Sequence, residues 1–258
     1  MNAQYSSSEM MTIAASRLLQ NGQVCFVGIG QPSAAANLAR LTSTPDIVLI
    51  YESGTIGTKP DVLPLSIGDG ELSETADLVV SVPEMFRYWL QGGHVDIGFL
   101  GAAQIDRFAN INTTVIGDYN NPKVRLPGAG GAPEISTNCK EILIILKQSS
   151  RAFVEQLSFI TSPGFMEGGD SREEAGLTNK GPVAVITDLG VLEPDPVTKE
   201  LVMTHLHDGV TVDQARESTG WDLKFADHLQ TTELPTDEEL KVLRDLNERT
   251  AKAHAGAE

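Results

Sequence analysis

Two short stretches carry residue types that could do chemistry. In the first, Glu52 follows the apolar run Ile47-Val48-Leu49-Ile50-Tyr51 and precedes Ser53-Gly54. A run this rich in β-branching, with Thr-Pro before it, predicts a buried strand that stops at Glu52. Ligands of open α/β sheets gather just beyond the carboxyl ends of parallel strands, so a carboxylate there is placed to act on one. A solvated loop glutamate is the plainer reading of the same residues. The second stretch is Gly128-Ala-Gly130-Gly131-Ala132. Three glycines in four residues let successive backbone N–H groups converge, which makes an anion nest or an oxyanion hole; a flexible turn fits the pattern equally. Gln104 and Asp106 follow the strand-like Val95–Leu100 through small residues, Gly101-Ala-Ala, where backbone and ligand can approach closely. A plain turn is the alternative there.

A carboxylate of ordinary acidity is ionised at neutral pH and needs no general base. It needs only a reactive acyl carbon and a group that stabilises the tetrahedral oxygen. That combination favours nucleophilic attack by Glu52 on an acyl thioester. Other chemistries fit less well. Ser53 is not in a Gly-x-Ser-x-Gly elbow, and Gly28-Ile29-Gly30 lacks the third glycine of a dinucleotide fingerprint. His205 and His207 lie two apart with no further ligand to complete a metal site, so both read as structural or surface residues and no metal is expected.

The elements that must position these residues follow from hydrophobic period and capping. Ser6-x-x-Glu9, Thr211-x-x-Gln214 and Thr236-x-x-Glu239 have capping-box form and open three helices. Val24–Val27 reads as a buried strand, and Pro32 stands near the start of a helix through Leu38 and Leu41. Pro83 opens a helix closed by Gly92-Gly93; Asn112–Ile116, Ile142–Leu146, Val183–Thr187 and Leu201–Thr204 read as strands, and Arg151–Phe159 as a short helix. Gly54–Gly70 and Phe165–Gly181 are long, turn-rich passages of the kind that carry function, the second a loop or lid. The order of strands and helices predicts an α/β fold, an open, mainly parallel sheet with flanking helices, as one domain over 1–258 with a frayed tail from 249.

The chain has 258 residues and a net charge of −16, which argues against nucleic acid or an anionic membrane as partner, since both demand basic patches. Hydrophobic residues make up 41%, and no apolar run is long enough to span a bilayer. Cys25 and Cys139 sit in or beside strand patterns without a CxxC spacing and are expected to be reduced and structural. With no charged leader before Arg17, the chain is expected to stay in the cytoplasm.

Tyr51-Glu52-Ser53-Gly54, Gly101-Ala-Ala-Gln104-Ile-Asp106, Asn112-Thr113-Thr114 with Gly117-Asp118-Tyr119, and Gly128-Ala-Gly130-Gly131-Ala132 resemble the β subunit of class I CoA-transferases, in the glutaconate CoA-transferase branch. The likeness runs from about Ser8 to the last helix and takes in Thr161-Ser-Pro-Gly164 and Val185-Ile-Thr-Asp188. Another branch carries Ser-Glu-Asn-Gly where this chain has Tyr51-Glu52-Ser53-Gly54. The resemblance implies that Glu52 is the nucleophile and that the segment Gly128, Gly130, Gly131 and Ala132 forms the oxyanion hole and contacts CoA. Ser53, Gly54, Gln104 and Asp106 are expected around the substrate. It also implies an α subunit as partner, no permanently bound cofactor, and coenzyme A thioester as substrate. The expected reaction moves CoA from succinyl-CoA to 3-oxoadipate; glutaconate or another short dicarboxylate is the nearest rival acceptor. A non-catalytic acyl-CoA-binding module of the same fold is the alternative from another class.

Overall fold

The computed structural model describes residues 4–255. The chain divides into two compact units, the first comprising residues up to Phe99 and from Leu234 onward, the second Leu100–Glu233.

In the first unit, α1 (Ser7–Ser16) starts at the predicted capping box, with both reciprocal Ser6 and Glu9 bonds formed. Next come β1 (Val24–Phe26), α2 (Gln31–Leu41), β2 (Val48–Ile50), β3 (Thr55–Ile56), α3 (Gly70–Glu74) and β4 (Leu78–Val79). A short α4 (Val82–Glu84) runs into a π-helical turn, Met85–Leu90, before β5 (Ile97–Leu100). The predicted Pro83 helix thus exists but changes winding after one turn. Strand β1 is central, with β2 and β5 parallel on either side, while β3 and β4 add an antiparallel edge beyond β2. Burial on both faces explains why β1 and β2 read as unbroken apolar runs: Cys25, Leu49 and Ile50 have no solvent exposure.

The last helix of the chain packs on this unit. Leu240 and Leu243 join Ile13, Ala34 and Leu38 in one apolar cluster. Arg17 makes paired hydrogen bonds of 2.7 Å to the Glu239 carboxylate, and Arg244 reaches Glu9 at 2.6 Å. The Arg244 hydrogen bond is the main cause that pulls the Glu9 carboxyl pKa down to about 2. Further along, at residues expected to fray, Leu63 N–H donates to the Thr250 hydroxyl at 2.9 Å. The helix spans Asp237–His254.

The second unit contains β6 (Gln104–Ile105), β7 (Ile111–Asn112), β8 (Val115–Gly117), β9 (Pro122–Arg125), α5 (Ala132–Asn138) and β10 (Glu141–Ile145). It continues with α6 (Ser171–Glu174), β11 (Pro182–Ile186), β12 (Gly190–Pro194), β13 (Leu201–Leu206), α7 (Val212–Glu217) and β14 (Lys224–Thr231); the final helix is therefore α8. Strands β10 and β11 pair in parallel, β12 runs antiparallel to β11 and β13, and β14 is parallel to β13. The expected α/β architecture, an open and mainly parallel sheet with flanking helices, is present.

The structure departs from two local expectations. Residues 151–159 form no helix, because Phe153 is fully buried and its neighbours bond to the β6 backbone, Ile105 N–H to Ala152 C=O at 2.7 Å and Val154 N–H to Ile105 C=O at 3.0 Å. The predicted strand 112–116 is broken into β7 and β8. There the Asn112 side-chain oxygen accepts from the N–H groups of Thr114 and Val115, a local turn that competes with the ladder.

His207, just past β13, is 4% exposed and takes the structural role expected of it. Its Nε2 donates to the Thr187 carbonyl at 2.9 Å, so in the neutral ring Nδ1 accepts from the Thr232 hydroxyl at 2.9 Å. Burial pushes its pKa below the ordinary value. The unfolded chain then binds the proton more readily than the folded one. The contribution is fully present above about pH 6.5 and is lost as pH falls toward the folded pKa. We expect the melting temperature to decline between pH 7.5 and 5.5, and His207→Asn to flatten that decline when both proteins are followed by thermal melting.

Candidate active site

Glu52 sits where the sequence places it, just beyond the end of β2. The chain reverses tightly there: Tyr51 N–H donates to Thr55 C=O at 3.1 Å and Gly54 N–H to Tyr51 C=O at 3.0 Å. Glu52 and Ser53 occupy the tip. Gly54 is needed on two counts, since its φ is +99° and a Cβ would run into the Val80 carbonyl oxygen. Its own carbonyl accepts from Val80 N–H at 2.9 Å, which ties the turn to the segment after β4. Because β1 and β2 are parallel, the Gly28-Ile29-Gly30 loop and the Glu52 turn leave their strands at the same end of the sheet. Glu52 is half-buried and accepts no hydrogen bond among the described residues. The Ser53 hydroxyl is buried beside it without a hydrogen-bond partner among the described residues.

The glycine segment lies in the second unit. Gly128 and Gly130 have φ values of +111° and +50°, and a Cβ at either would meet open space. Conformation, not crowding, requires glycine at both positions. The segment is clamped at Gly128, whose N–H donates to Thr113 C=O at 2.8 Å while the Thr113 hydroxyl donates to Gly128 C=O at 2.8 Å. Ala132 N–H is taken up by Ala129 C=O at 3.0 Å. The N–H groups of Gly130 and Gly131 have no hydrogen-bond acceptor among the described residues. Two adjacent free donors ahead of α5 are what an oxyanion or another anion would use.

Gln104 supports this clamp from behind. It is 8% exposed, and its side-chain oxygen accepts from Asn112 Nδ2 at 3.0 Å. Asn112 in turn shapes the turn that presents Thr113, whose N–H donates to the Thr161 hydroxyl at 2.8 Å. Asp106 is committed to its own loop: its carboxylate accepts from Phe108 N–H, Asn110 N–H and Asn110 Nδ2 at 2.9 to 3.0 Å. Burial pushes its pKa up, and these hydrogen bonds oppose that shift. Gln104 and Asn112 are therefore brought together with the glycine segment, whereas Asp106 caps a neighbouring loop.

Arg172 was invisible in the sequence, where Ser-Arg-Glu-Glu looks like solvated surface. It is 4% exposed. Its two terminal nitrogens donate to the carbonyls of Pro163, Gly164 and Ser136 and to Asn179 Oδ1. It thereby fastens the 165–181 passage, expected as a loop or lid, to the last turn of α5. Asn179 adds bonds to Ser136 C=O and Cys139 C=O. Burial pulls the Arg172 pKa down to about 10.

A sequence model of coenzyme A transferases matches residues 8–218, and the chain belongs to that family. The β subunit of a 3-oxoadipate CoA-transferase from Pseudomonas knackmussii is 67% identical over 97% of this chain and 96% of its own. The β subunit of the glutaconate CoA-transferase of Acidaminococcus fermentans is 32% identical over 93% of this chain and 92% of its own. A crystal structure of glutaconate coenzyme A-transferase from that organism matches with a TM-score of 0.90 at 31% identity, covering 97% of this chain and 98% of the other. Among the described residues, no helix is long and apolar enough to cross a membrane.

Proposed function

We propose that residues 1–258 work as the β subunit of a CoA-transferase that moves CoA from succinyl-CoA to 3-oxoadipate, active only with an α subunit. The observation that carries this reading is the 67% identity, over nearly the full length of both chains, to the β subunit of a 3-oxoadipate CoA-transferase.

A Glu52 carboxylate oxygen attacks the thioester carbonyl carbon of succinyl-CoA and expels CoA thiolate, leaving a succinyl-glutamyl anhydride. The thiolate attacks the Glu52 carbonyl carbon, releasing succinate and forming a glutamyl-CoA thioester. A carboxylate of 3-oxoadipate attacks that thioester and expels the thiolate again. The thiolate then attacks the 3-oxoadipyl carbonyl, which yields 3-oxoadipyl-CoA and restores Glu52. Each step exchanges one acyl bond for another, so no general base, metal or redox cofactor is required. The N–H groups of Gly130 and Gly131 stabilise each tetrahedral oxygen; one such donor is worth about 2.7–4 kcal/mol. Gly128 and Gln104 hold that segment in shape. Ser53 and Gly54 border the substrate from the tip of the Glu52 turn. Water must stay out, since hydrolysis of either intermediate wastes the thioester.

Initial rates of the complex co-expressed with its companion α chain, measured with succinyl-CoA against a panel of dicarboxylic acids, test the acceptor. We expect kcat/KM for 3-oxoadipate to exceed that for glutaconate by about tenfold or more. A preference for glutaconate transfers the assignment to that acid, and acyl-CoA binding without turnover of any acceptor overturns the catalytic reading.

A further inference from the structure

Tyr51, immediately before Glu52, has no solvent exposure. A phenylalanine would fill the same core volume, so the hydroxyl must be explained by what it bonds. It shares a 2.8 Å hydrogen bond with the hydroxyl of Ser33, itself fully buried on α2. One turn along, Asn37 Nδ2 donates to Ser33 C=O at 2.9 Å and lies 3.5 Å from the Ser33 hydroxyl. Asn37 Oδ1 accepts from Arg40 Nε at 3.2 Å, and Arg40 Nη2 donates to Pro60 C=O at 2.9 Å. This buried polar chain starts at the residue before Glu52 and ends in the loop after it. Burial raises the Tyr51 pKa to about 12, so the phenol keeps its proton and remains a donor throughout the working pH range.

The strand ladder fixes the backbone as far as Ile50, and the hydrogen bond from Val80 N–H to Gly54 C=O at 2.9 Å fixes the far side of the turn. Between them the Tyr51 backbone bonds Thr55 C=O and Gly54 N–H, and its side chain adds the one tie from this turn to helix α2 among the described hydrogen bonds. Nucleophilic attack is steeply sensitive to the direction of the attacking group; a displacement of about 1 Å can cost roughly 10²-fold in rate. We propose that Tyr51, Ser33 and Asn37 are positioning residues that aim the Glu52 turn from helix α2. The proposal rests on the reading of Glu52 as nucleophile.

The test uses the complete complex. Tyr51→Phe should lower kcat about tenfold, with KM for succinyl-CoA within about twofold and the melting temperature within a few degrees, and the single-turnover rate of CoA release should fall in parallel. Ser33→Ala should give the same loss, and the double variant no more than either single change, because both remove one shared hydrogen bond. Wild-type kcat and first-turnover rate in Tyr51→Phe overturn the proposal. So does a loss that vanishes once rates are corrected for the folded fraction. If Tyr51→Phe does not fold, Ser33→Ala read against the same criteria decides. Borohydride trapping in the wild-type complex separates the two claims: no label on Glu52 removes the nucleophile, whereas a label formed equally fast in wild type and Tyr51→Phe removes only the positioning role.

Discussion

Replacing Glu52 by alanine should cut CoA transfer by roughly 10⁴-fold or more, about 5.5 kcal/mol in the barrier, while moving the melting temperature by no more than about 2 °C. The two halves of this expectation have separate physical grounds. The catalytic loss is large because no other carboxylate lies on the turn to form an acyl bond and pass it on; the Ser53 hydroxyl is buried and has no hydrogen-bond partner among the described residues. The stability change is small because Glu52 is half-buried and accepts no hydrogen bond among the described residues, so truncation leaves no orphaned donor. The turn itself is held by Tyr51, Gly54 and Val80, which the substitution does not touch. Steady-state rates with succinyl-CoA and a thermal melt of the same preparation check both halves.

The second large effect falls on stability. Arg172→Leu should destabilise the protein by about 3–5 kcal/mol, a fall in melting temperature on the order of 10 °C. Two contributions oppose each other. Burying a guanidinium costs desolvation, as the lowered pKa shows, and leucine escapes that cost. Removing it, however, strips donors from the carbonyls of Pro163 and Gly164, which receive no other side-chain donor among the described residues, and leaves Ser136 C=O with Asn179 alone. Orphaned buried acceptors cost about 1–3 kcal/mol each, so the loss outweighs the relief. Arg172→Lys should rescue little, because one ammonium cannot span four acceptors that a planar fork reaches together. Hydrogen exchange should report the greatest loss of protection across residues 163–181.

How much of this was legible in the sequence depends on the range of the interaction. Short-range features were: the three capping boxes formed as written, the Ile47–Tyr51 run ended at Glu52, and the glycine spacing of 128–131 left two N–H groups free. Their causes lie within a few residues of each other. The failures come from partners far along the chain. Residues 151–159 carry helical spacing but pair with β6, and tertiary pairing outweighs a weak local propensity. Strands β12 and β14 went unseen because their stability comes from neighbours, not from composition. Arg172 and Tyr51 look ordinary until Pro163, Ser136 and Ser33 are placed beside them. Asp106 shows a different limit. Its position after a strand suggested a ligand contact, yet the three donors it accepts from lie within four residues.

A glutamate nucleophile at position 52 must pass through a covalent bond to CoA. Incubating the purified complex with succinyl-CoA in the absence of acceptor, reducing with borohydride and mapping the peptides by mass spectrometry addresses it directly. Activity should be lost, with reduction of the glutamyl thioester to an alcohol at Glu52 and at no other carboxylate. Continued CoA transfer with the Glu52 peptide unmodified would contradict the covalent route.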